Sequence, residues 1–304
     1  MTNDKSQILV SIVCITYNHE PYLRQTLDSF LMQKTSFAYE IILAEDCSTD
    51  GTRKICEEYA AKYPDIIHYI YRDHNVGYNE NEYEAMCAAK GKYIAYCEGD
   101  DYWTIPDKLQ KQVDFLESHP EYSVCWHRCK HHNTKTGIDR DDACGRILGK
   151  DAEGVDIDMN TYFAGWYTQP LTMVFRKDAL DLRLYHSYMY FRDMQQMYHL
   201  LLKGKGYLFA FDGGVRNVHS GGVASTISSK QYCEVSLPID REFFWKTRNK
   251  WSKKNYIGTL DACIRNYYRS DKLKAFRCAF VRLMITGHIR GFIQHMKMIL
   301  KNDQ

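Results

Sequence analysis

The sequence lacks the long apolar runs and the nucleotide-binding loops that define several large classes of protein. No stretch approaches the roughly 18 consecutive apolar residues of a membrane-spanning helix, so no such helix is expected. No Gly-x-Gly-x-x-Gly follows the first predicted strand, and no Gly-x-x-x-x-Gly-Lys-Ser/Thr occurs. These absences argue against a dinucleotide oxidoreductase and a P-loop NTPase. Internal repeats and low-complexity tracts are also absent.

A cysteine framework is missing as well. The eleven cysteines are odd in number and scattered, and none has the Cys-x-x-Cys spacing of a structural zinc site. The start, residues 1–7, lacks the basic-then-apolar pattern of a secretory signal. We therefore expect a cytoplasmic protein in a reducing compartment.

The charge is small overall but unevenly placed. Residues 241–304 carry 15 Lys and Arg against four Asp and Glu, which gives +11, whereas residues 1–240 carry −9. So acidic a body argues against a nucleic-acid partner. The basic region is predicted to be helical from about residue 226. Its last helix, 288–301, places these apolar positions on one face: Ile289, Phe292, Ile293, Met296, Ile299 and Leu300.

Three partners are compatible with the basic helices. A cationic amphipathic helix can lie on an anionic membrane surface. It can equally pack on the body of the protein, or against another subunit of a homo-oligomer. The sequence favours membrane contact and oligomer packing about equally.

Strands and helices alternate along the first 130 residues. Ile8–Ile15 is apolar and rich in β-branched residues, which is typical of a strand buried on both faces of a parallel sheet. Ser48 or Thr49 is predicted to cap the helix that Pro64 ends. The other strands are expected at 40–44, 66–71, 92–97, 122–129, 171–175 and 207–211. The pattern predicts an α/β fold with a mostly parallel central sheet flanked by helices, and ligands bind at the carboxyl ends of such strands.

Two acidic clusters directly follow predicted strands. Glu45-Asp46 comes after the second strand, and Asp100-Asp101 comes shortly after the fourth. Adjacent carboxylates repel unless a cation or hydrogen-bond donors compensate. Hard divalent cations prefer oxygen ligands and also bind phosphate oxygens. A carboxylate–metal–diphosphate bridge at Asp100-Asp101 is one interpretation, and a solvated acidic turn that caps the next helix is the other.

Four motifs occur in order along the first third of the chain: Val10–Asn18, Glu45–Thr52, Asn75–Gly77 and Gly91–Trp103. Together they resemble the family 2 glycosyltransferases, whose nucleotide-binding domain has the GT-A fold. The resemblance spans about 8–128, with a weaker echo over 170–225. It implies a GT-A domain over 1–225, nucleotide-binding to about residue 128 and acceptor-side over 129–225. A basic helical region, 226–304, follows.

The resemblance also implies which residues bind the nucleotide: Thr16, Tyr17, Asn18, Glu45, Asp46, Asn75, Gly77 and Asp100. Glu45 stands where the family usually has an Asp that contacts the base edge, so the choice between Glu45 and Asp46 stays open. Asn75 and Gly77 belong to the donor site or simply form a turn after the third strand. Trp103 stacks on a sugar ring or packs in the core.

The remaining roles concern the metal and the proton. By the same resemblance, Asp101 would bind Mg²⁺ or Mn²⁺, and His219 would supply a further ligand or play a structural part. A general base is needed to take the proton of the acceptor hydroxyl. Asp193, at the start of a predicted helix, matches the family's base, and Asp178 and Asp181 are its rivals.

The implied function is an inverting, metal-dependent transfer of sugar from a nucleotide sugar, expected to be UDP-linked. The acceptor would be a saccharide or a lipid-linked saccharide, as in bacterial surface polysaccharide synthesis. Two alternatives stay open: an inactive nucleotide-sugar-binding scaffold of the same fold, and a nucleotidyltransferase. The expected place is the cytoplasm, including the inner face of the membrane.

Overall fold

The structure, a computed structural model, describes residues 7–165, 168–221 and 228–300. Its strands are β1 (Ile8–Thr16), β2 (Ala38–Glu45), β3 (Ile67–Tyr71), β4 (Tyr93–Tyr96), β5 (Tyr102–Trp103), β6 (Tyr122–Asn133), β7 (Ile138–Asp141), β8 (Gly154–Ile157), β9 (Val174–Arg176) and β10 (Lys205–Val218). The helices of the first two thirds are α1 (Leu23–Leu31), α2 (Thr52–Lys62), α3 (Tyr78–Ala88), α4 (Lys108–Ser118), α5 (Met159–Ala164), α6 (Leu184–Ser187) and α7 (Asp193–Leu201). The last four are α8 (Ser229–Thr247), α9 (Lys250–Tyr267), α10 (Lys272–Thr286) and α11 (Ile289–Leu300).

The chain divides into two compact units. The sheet unit comprises Met1–Ser187 and Phe191–His219, and the helical unit comprises Tyr188–Tyr190 and Ser220–Gln304. The four predicted nucleotide-binding motifs and the predicted base all belong to the sheet unit.

Strands β1 to β4 form an all-parallel half of the sheet in the order β3-β2-β1-β4. In β1, every residue from Val10 to Thr16 is buried, because helices cover both faces of a parallel sheet. Thr16 lies opposite Glu45 in the register, so the ends of β1 and β2 meet at one edge. The predicted α/β class is thereby confirmed.

The other half of the sheet is mixed. Strand β9 pairs antiparallel with β4 and β6, β6 pairs parallel with β10, and β5 closes this edge antiparallel to β10. Strands β7 and β8 add short antiparallel pairs to β6 and β10. The parallel order predicted from the first motifs therefore holds for β1–β4 and for β6–β10 only. Since Gly214 pairs with Trp103, the end of β10 runs close to Asp100-Asp101.

Trp103 belongs to the hydrophobic core. Its side chain is 1% exposed, its ring lies against Phe30 with centroids 4.7 Å apart, and its Nε1 donates to Leu171 O at 2.8 Å. It is therefore not placed to stack on a sugar, and its position next to the acidic pair serves packing.

The predicted cap of α2 is wrong. The helix begins at Thr52 after Gly51 and has no side-chain cap. Ser48 Oγ instead accepts from Asn18 N at 3.0 Å, and Thr49 N donates to Asn18 Oδ1 at 2.8 Å. Asn18 has φ 57°, a conformation that Asn tolerates better than most residues. The two hydroxyl residues thus tie together the loops after β1 and β2.

The helical unit has a core of its own, built from one face each of α8 to α11. Asn249 and Asp271 cap α9 and α10 by accepting from backbone N–H groups. Gly287 ends α10 with φ 67°, the left-handed conformation that glycine adopts at helix ends. Among residues 7–165, 168–221 and 228–300, no helix is both long and apolar enough to cross a membrane.

Candidate active site

The predicted site residues gather at the carboxyl edge of β1, β2 and β4. Asp46 N donates to Thr16 O at 3.1 Å, and Gly99 N donates to Ile15 O at 3.0 Å. These bonds continue the sheet pairing beyond the strand ends, so three loops are fixed side by side. Of the first loop, Thr16 is buried, whereas Tyr17 is 42% exposed and free to cover a ligand.

Asp46 holds the turn after β3. Its two carboxylate oxygens accept from Val76 N at 2.8 Å and Gly77 N at 2.9 Å, and Asn75 Nδ2 donates to its carbonyl at 3.0 Å. Gly77 has φ 86°, which favours glycine because a Cβ would be strained there. Asp46, Asn75 and Gly77 are therefore joined as one structural turn next to β2.

Glu45 is fully buried and paired. Its Oε2 accepts from Arg53 Nε at 2.9 Å, and its Oε1 accepts from Ser48 N. An isolated buried carboxylate would be costly, and Arg53 supplies the compensating charge. Because each carboxylate oxygen can accept more than one bond, Glu45 keeps capacity to accept a base N–H.

Asp100 and Asp101 both contact residues at the end of β10 or directly after it. His219 Nε2 lies 2.9 Å from Asp100 Oδ2, and Asn217 N donates to Asp101 Oδ1 at 2.8 Å. Asn217 Nδ2 also donates to Asp100 O at 2.6 Å. His19 Nε2 approaches Asp100 Oδ2 at 3.7 Å. Asp100 and Asp101 thus form a turn that is held by hydrogen bonds to Asn217 and His219.

The pKa values of the carboxylates at this turn are shifted in different directions. Burial raises the pKa of Asp101 well above its usual value, and the charge of Asp100 adds to this. Burial also raises the pKa of Glu98 strongly, with Asp100 and Asp101 contributing. For Asp100, burial acts upward too, but the hydrogen bond with His219 and the nearby His19 lower its pKa. Burial and mutual repulsion therefore disfavour the ionised forms of Asp101 and Glu98 unless a further positive charge is present.

This arrangement fits a divalent cation. Asp100 Oδ1 is buried and has no hydrogen-bond partner, and such an orphaned acceptor is costly without a ligand. A cation at Asp101 would oppose the upward pKa shift by stabilising the ionised form. No three His, Cys, Asp or Glu side chains of the described residues are grouped as a metal cage, so phosphate or water oxygens would complete the coordination shell.

His219 takes a position beside Asp100 rather than Asp101. Its ring also lies over Tyr22, with centroids 4.6 Å apart. In this geometry His219 supports Asp100 through a hydrogen bond, and one nitrogen is already engaged. Two glycines follow Ser220, and the second of them, Gly222, lies outside the described residues.

Asp193 is the first residue of α7 and borders a small recess. The recess has a cavity volume of about 10 Å³, room for about one water molecule, and is lined by Trp126, Tyr162, Thr168, Gln169, Pro170, Met173, Asp193 and Met197. Burial raises the pKa of Asp193, while Arg192 and Arg216 act downward. Arg216 also acts downward on the pKa of Asp101, so one guanidinium influences both the candidate base and the candidate metal ligand.

The rivals of Asp193 lie elsewhere. Asp178 and Asp181 are exposed, and Asp181 forms an ion pair with Arg183 at 2.7 Å. Of the three, only Asp193 lines the recess.

Helix α3 is hydrogen-bonded to the segment that carries Asp193. The sequence did not reveal this contact. Glu82 is 4% exposed, and its Oε1 accepts from Tyr185 O–H at 2.8 Å. Gln196, one turn into α7, donates to the same Tyr185 oxygen at 3.4 Å. The Asn79 amide pairs with both backbone groups of Phe191, at 2.7 and 3.1 Å.

Glu82 behaves as a protonated acid within this contact. Burial raises its pKa to about 8, Asp193 adds to the shift, and hydrogen bonds from Tyr185 and Tyr78 partly oppose it. Tyr78 O–H in turn lies 3.2 Å from Tyr96 O–H. A Glu in a helix with no periodic partner gives no signal in the sequence, which is why this network was not predicted.

The sequence model of the glycosyl transferase family 2 matches residues 11–184, more than half of the 304 residues. The chain belongs to glycosyl transferase family 2. The family resemblance inferred from the four motifs is confirmed. The matched range contains the loops after β1, β2 and β4, and it ends before Asp193 and His219.

Several proteins resemble part of this family 2 chain. A Mycobacterium tuberculosis protein of uncharacterized function is 52% identical over 118 residues, which is 39% of this chain and 34% of that protein. The Bacillus subtilis proteins TuaG, named for teichuronic acid biosynthesis, and EpsE, named as a glycosyltransferase, are each 40% identical over 116 and 115 residues. Those alignments cover 38% of this chain and 44% and 41% of the relatives. The chain thus spans less than half the length of each.

Solved structures share the fold over almost the whole family 2 chain. Staphylococcus aureus TarS 1–349 in complex with UDP-GlcNAc superposes with a TM-score of 0.63 at 16% identity, covering 96% of this chain and 90% of that one. The mannosyltransferase PcManGT of Pyrobaculum calidifontis, in complex with GDP-Man and Mn²⁺, gives 0.53 at 15% identity, covering 98% and 81%. At such identities the likeness shows the fold alone.

Proposed function

We propose that the protein is an inverting glycosyltransferase that moves a sugar from a nucleotide sugar to a saccharide or a lipid-linked saccharide. The observation that carries the proposal is the turn at Asp100-Asp101, where a buried carboxylate oxygen of Asp100 has no hydrogen-bond partner. Arg216 and Asp193 lie close enough to this turn to affect the same charges. Membership in family 2 supports the reaction class.

We propose a UDP-linked donor. Glu45, held by Arg53 and Ser48, is the carboxylate that would accept the uracil N–H, and Tyr17 with Asn18 would border the base. Asp46, with both oxygens bound to Val76 and Gly77, would shape the loop instead. The TarS structure that shares the fold holds UDP-GlcNAc, which supports this choice of nucleotide.

The diphosphate of the donor would lie over the acidic turn. Asp101, together with the free oxygen of Asp100, would hold Mg²⁺ or Mn²⁺, which when bound stabilises the negative charge of the departing diphosphate. Arg216 supplies a positive charge close enough to lower the pKa of Asp101. The PcManGT structure holds Mn²⁺ with its nucleotide sugar, which supports a divalent ion. His219 would orient Asp100 or complete the coordination.

Asp193 is proposed as the general base. The acceptor oxygen attacks the anomeric carbon from the face opposite the diphosphate and gives its proton to Asp193. The bond from that carbon to the diphosphate oxygen breaks, and its electron pair leaves with the nucleoside diphosphate. The recess beside Asp193 would limit the access of bulk water to this base.

The arrangement of roles along the chain is also a proposal. Residues 1–128 would bind the nucleotide, 129–225 would contact the acceptor, and 226–304 would form a separate basic region. We place the reaction in the cytoplasm at the inner face of a membrane that carries the acceptor. The teichuronic acid pathway named for TuaG supports a cell-surface polysaccharide as product.

Product analysis tests this proposal against its alternatives. The protein is incubated with UDP-GlcNAc, UDP-glucose or GDP-mannose and Mn²⁺, and the released nucleotide species are separated. We expect nucleoside diphosphate from at least one donor, abolished by EDTA and restored by added Mn²⁺. Release of pyrophosphate from a nucleoside triphosphate and a sugar phosphate would identify a nucleotidyltransferase. Donor binding by calorimetry without turnover over a broad acceptor panel would identify a scaffold.

A further inference from the structure

Helices α10 and α11 present an apolar stripe to solvent. On α10 the stripe consists of Leu273, Phe276, Phe280 and Met284, spaced by three or four residues on one face, and Met284 is 71% exposed. On α11 it consists of Ile289, Ile293 and Leu300, and Leu300 is 66% exposed. We call these seven residues the outer face.

The outer face is continuous across the two helices. The rings of Phe276 and Phe292 meet with centroids 6.4 Å apart, and Phe276 stacks on Phe280 at 6.4 Å. Next to them, Ile293, Met296, Lys297 and Leu300 line an open surface depression. Contiguous apolar patches exposed on the surface of a protein commonly mark interaction sites.

The core of the helical unit does not need this face. The same two helices bury different positions, namely Ala275, Cys278, Ala279 and Ile299. Each helix therefore has one apolar side that packs inward and a second that faces outward. Only the second is unexplained by folding.

The charged residues within helices α10 and α11 are all basic. Residues 272–300 contain six Lys and Arg and no Asp or Glu. Lys272, Arg277, Arg290 and Lys297 are exposed, whereas Arg282 is paired with Asp261 at 2.6 Å. The stripe thus lies between free cations.

We propose that the outer face docks the protein on a membrane that contains anionic lipid. Its apolar side chains enter the boundary between head groups and acyl chains, and its cations contact the lipid phosphates, as in amphipathic helices that lie flat in the interface. The proposal specifies the surface for the membrane location given under Proposed function and rests on it for its biological purpose. Its test does not depend on transferase activity.

The charge pattern disfavours a second copy of the chain as the occupant. Two outer faces brought together would place at least eight exposed cations in one interface without an acidic residue from 272–300 to pair with them. Like charges in such an interface cost affinity. An anionic surface satisfies the same cations.

Vesicle co-sedimentation of the complete chain tests the proposal. Phosphatidylcholine vesicles with and without a quarter of phosphatidylglycerol are compared at low salt and at 0.5 M NaCl. We expect binding to the anionic vesicles, weaker binding at high salt because the charges are screened, and little binding to phosphatidylcholine alone. Absence of binding to anionic vesicles by folded protein would overturn the proposal.

Matched variants distinguish vesicle binding through the outer face from nonspecific binding by the rest of the protein. Arg277→Gln with Lys297→Gln should weaken binding by about fivefold for each charge removed, and Phe280→Ser with Met284→Ser should weaken it at both salt concentrations. The control is Lys135→Gln with Ile138→Ser in the exposed β6–β7 hairpin of the sheet unit, which should bind like wild type. Equal weakening by the control would contradict the assignment of the surface.

Self-association gives the opposing outcome. Light scattering during gel filtration reports the mass of the wild type and of the Phe280→Ser, Met284→Ser variant. We expect a monomer for both without vesicles. A wild-type dimer that this variant dissociates, with no vesicle binding, would assign the outer face to a second copy. Loss of nucleoside diphosphate release would leave the vesicle result unchanged, so the two proposals can fail separately.

Discussion

The acidic turn of the sheet unit and the outer face of the helical unit depart from ordinary burial in opposite directions. At the turn, Asp100 and Asp101 are less than one tenth exposed, although charged groups prefer water. On α10, Phe280 and Met284 are about half exposed or more, although apolar groups prefer the core. Neither arrangement is fully satisfied within the chain alone, and we propose a ligand of a different kind for each.

The difference also appears in the neighbours that each region recruits. At the turn, the side chains of His19, His219 and Arg216 lie near the carboxylates and influence their charge. At the outer face, the charged neighbours are exposed Lys and Arg side chains of α10 and α11. A small charged ligand requires the first kind of site, and an extended surface requires the second.

The largest expected effect breaks the sheet side of this comparison. Asp193→Asn should lower kcat by about 10²–10⁴-fold, the range typical of a lost general base, and leave donor KM nearly unchanged. Steady-state kinetics with donor and acceptor measure this. Asp181→Asn, at an exposed rival carboxylate, should keep wild-type kinetics, and a normal rate in Asp193→Asn would remove this residue from the mechanism.

A second change tests the turn itself. Asp101→Ala should lower activity on the order of 10²–10³-fold because charge stabilisation at the leaving group is lost. It should also abolish the rise in melting temperature that Mn²⁺ with UDP gives the wild type, since only binding to the native state stabilises it. Asp139→Ala, in the exposed β7 strand, is the matched control. An unchanged Mn²⁺ response in Asp101→Ala would contradict the metal assignment.

A third change separates structural support from chemistry. Glu82→Ala should lower the free energy of unfolding by about 1–3 kcal/mol because Tyr185 loses its buried partner. Activity should fall as well, since α3 grips the segment that carries Asp193. Glu82→Gln should retain most of both, because the native side chain is held as a neutral acid. Urea unfolding and kinetics of both variants decide, and equal damage by Gln and Ala would mean that the ionised form is required.

The raised pKa of Glu82 predicts a pH dependence of stability. In the unfolded chain this carboxyl titrates near 4.5, and in the folded protein near 8. The folded state therefore holds the proton more tightly, so the contribution of Glu82 is complete below about pH 4.5 and is lost as the pH rises through about 8. Metal-free protein unfolded in urea between pH 5 and 9 should lose stability, and Glu82→Gln should lose less. Identical slopes would contradict the shift.

The smallest effect concerns the helical side. Phe280→Ser should change the free energy of unfolding by no more than about 0.5 kcal/mol, as for most surface positions. Cys278→Ser, on the buried face of the same helix, is expected to cost more because a polar group enters the core. Thermal unfolding compares the two. A large loss in Phe280→Ser would show that the outer face is covered in the folded chain.

Much of the first half could be predicted because its signals are local. The apolar run from Ile8 and the turn chemistry at Gly77 and Asp100-Asp101 depend on short stretches of chain. The strand bounds predicted over residues 8–129 match the structure within a few residues, apart from the two-residue β5. The cap of α2 was missed because Ser48 and Thr49 bond to Asn18, a partner 30 residues away.

The second half could not be predicted in the same way. Residues 130–165 include β7, β8 and α5. Strand β7 forms by pairing with β6 and strand β8 by pairing with β10, so neither is specified by its own sequence pattern. The same limitation hid Glu82, whose partner Tyr185 is more than 100 residues distant in the chain. Short segments of mixed polarity have no preferred structure until a neighbour pairs with them.

The sequence alone determined the family, the parallel half of the sheet, the clustering of the acidic motifs at one edge, and the basic character of the C-terminal helices. Tertiary structure decided which oxygen of Asp100 lacks a partner, that Trp103 packs in the core, that α3 grips the Asp193 segment, and which side of α10 and α11 faces outward. Periodicity and motif order follow from neighbouring residues, whereas burial and proton affinity depend on groups that meet only after the chain has folded.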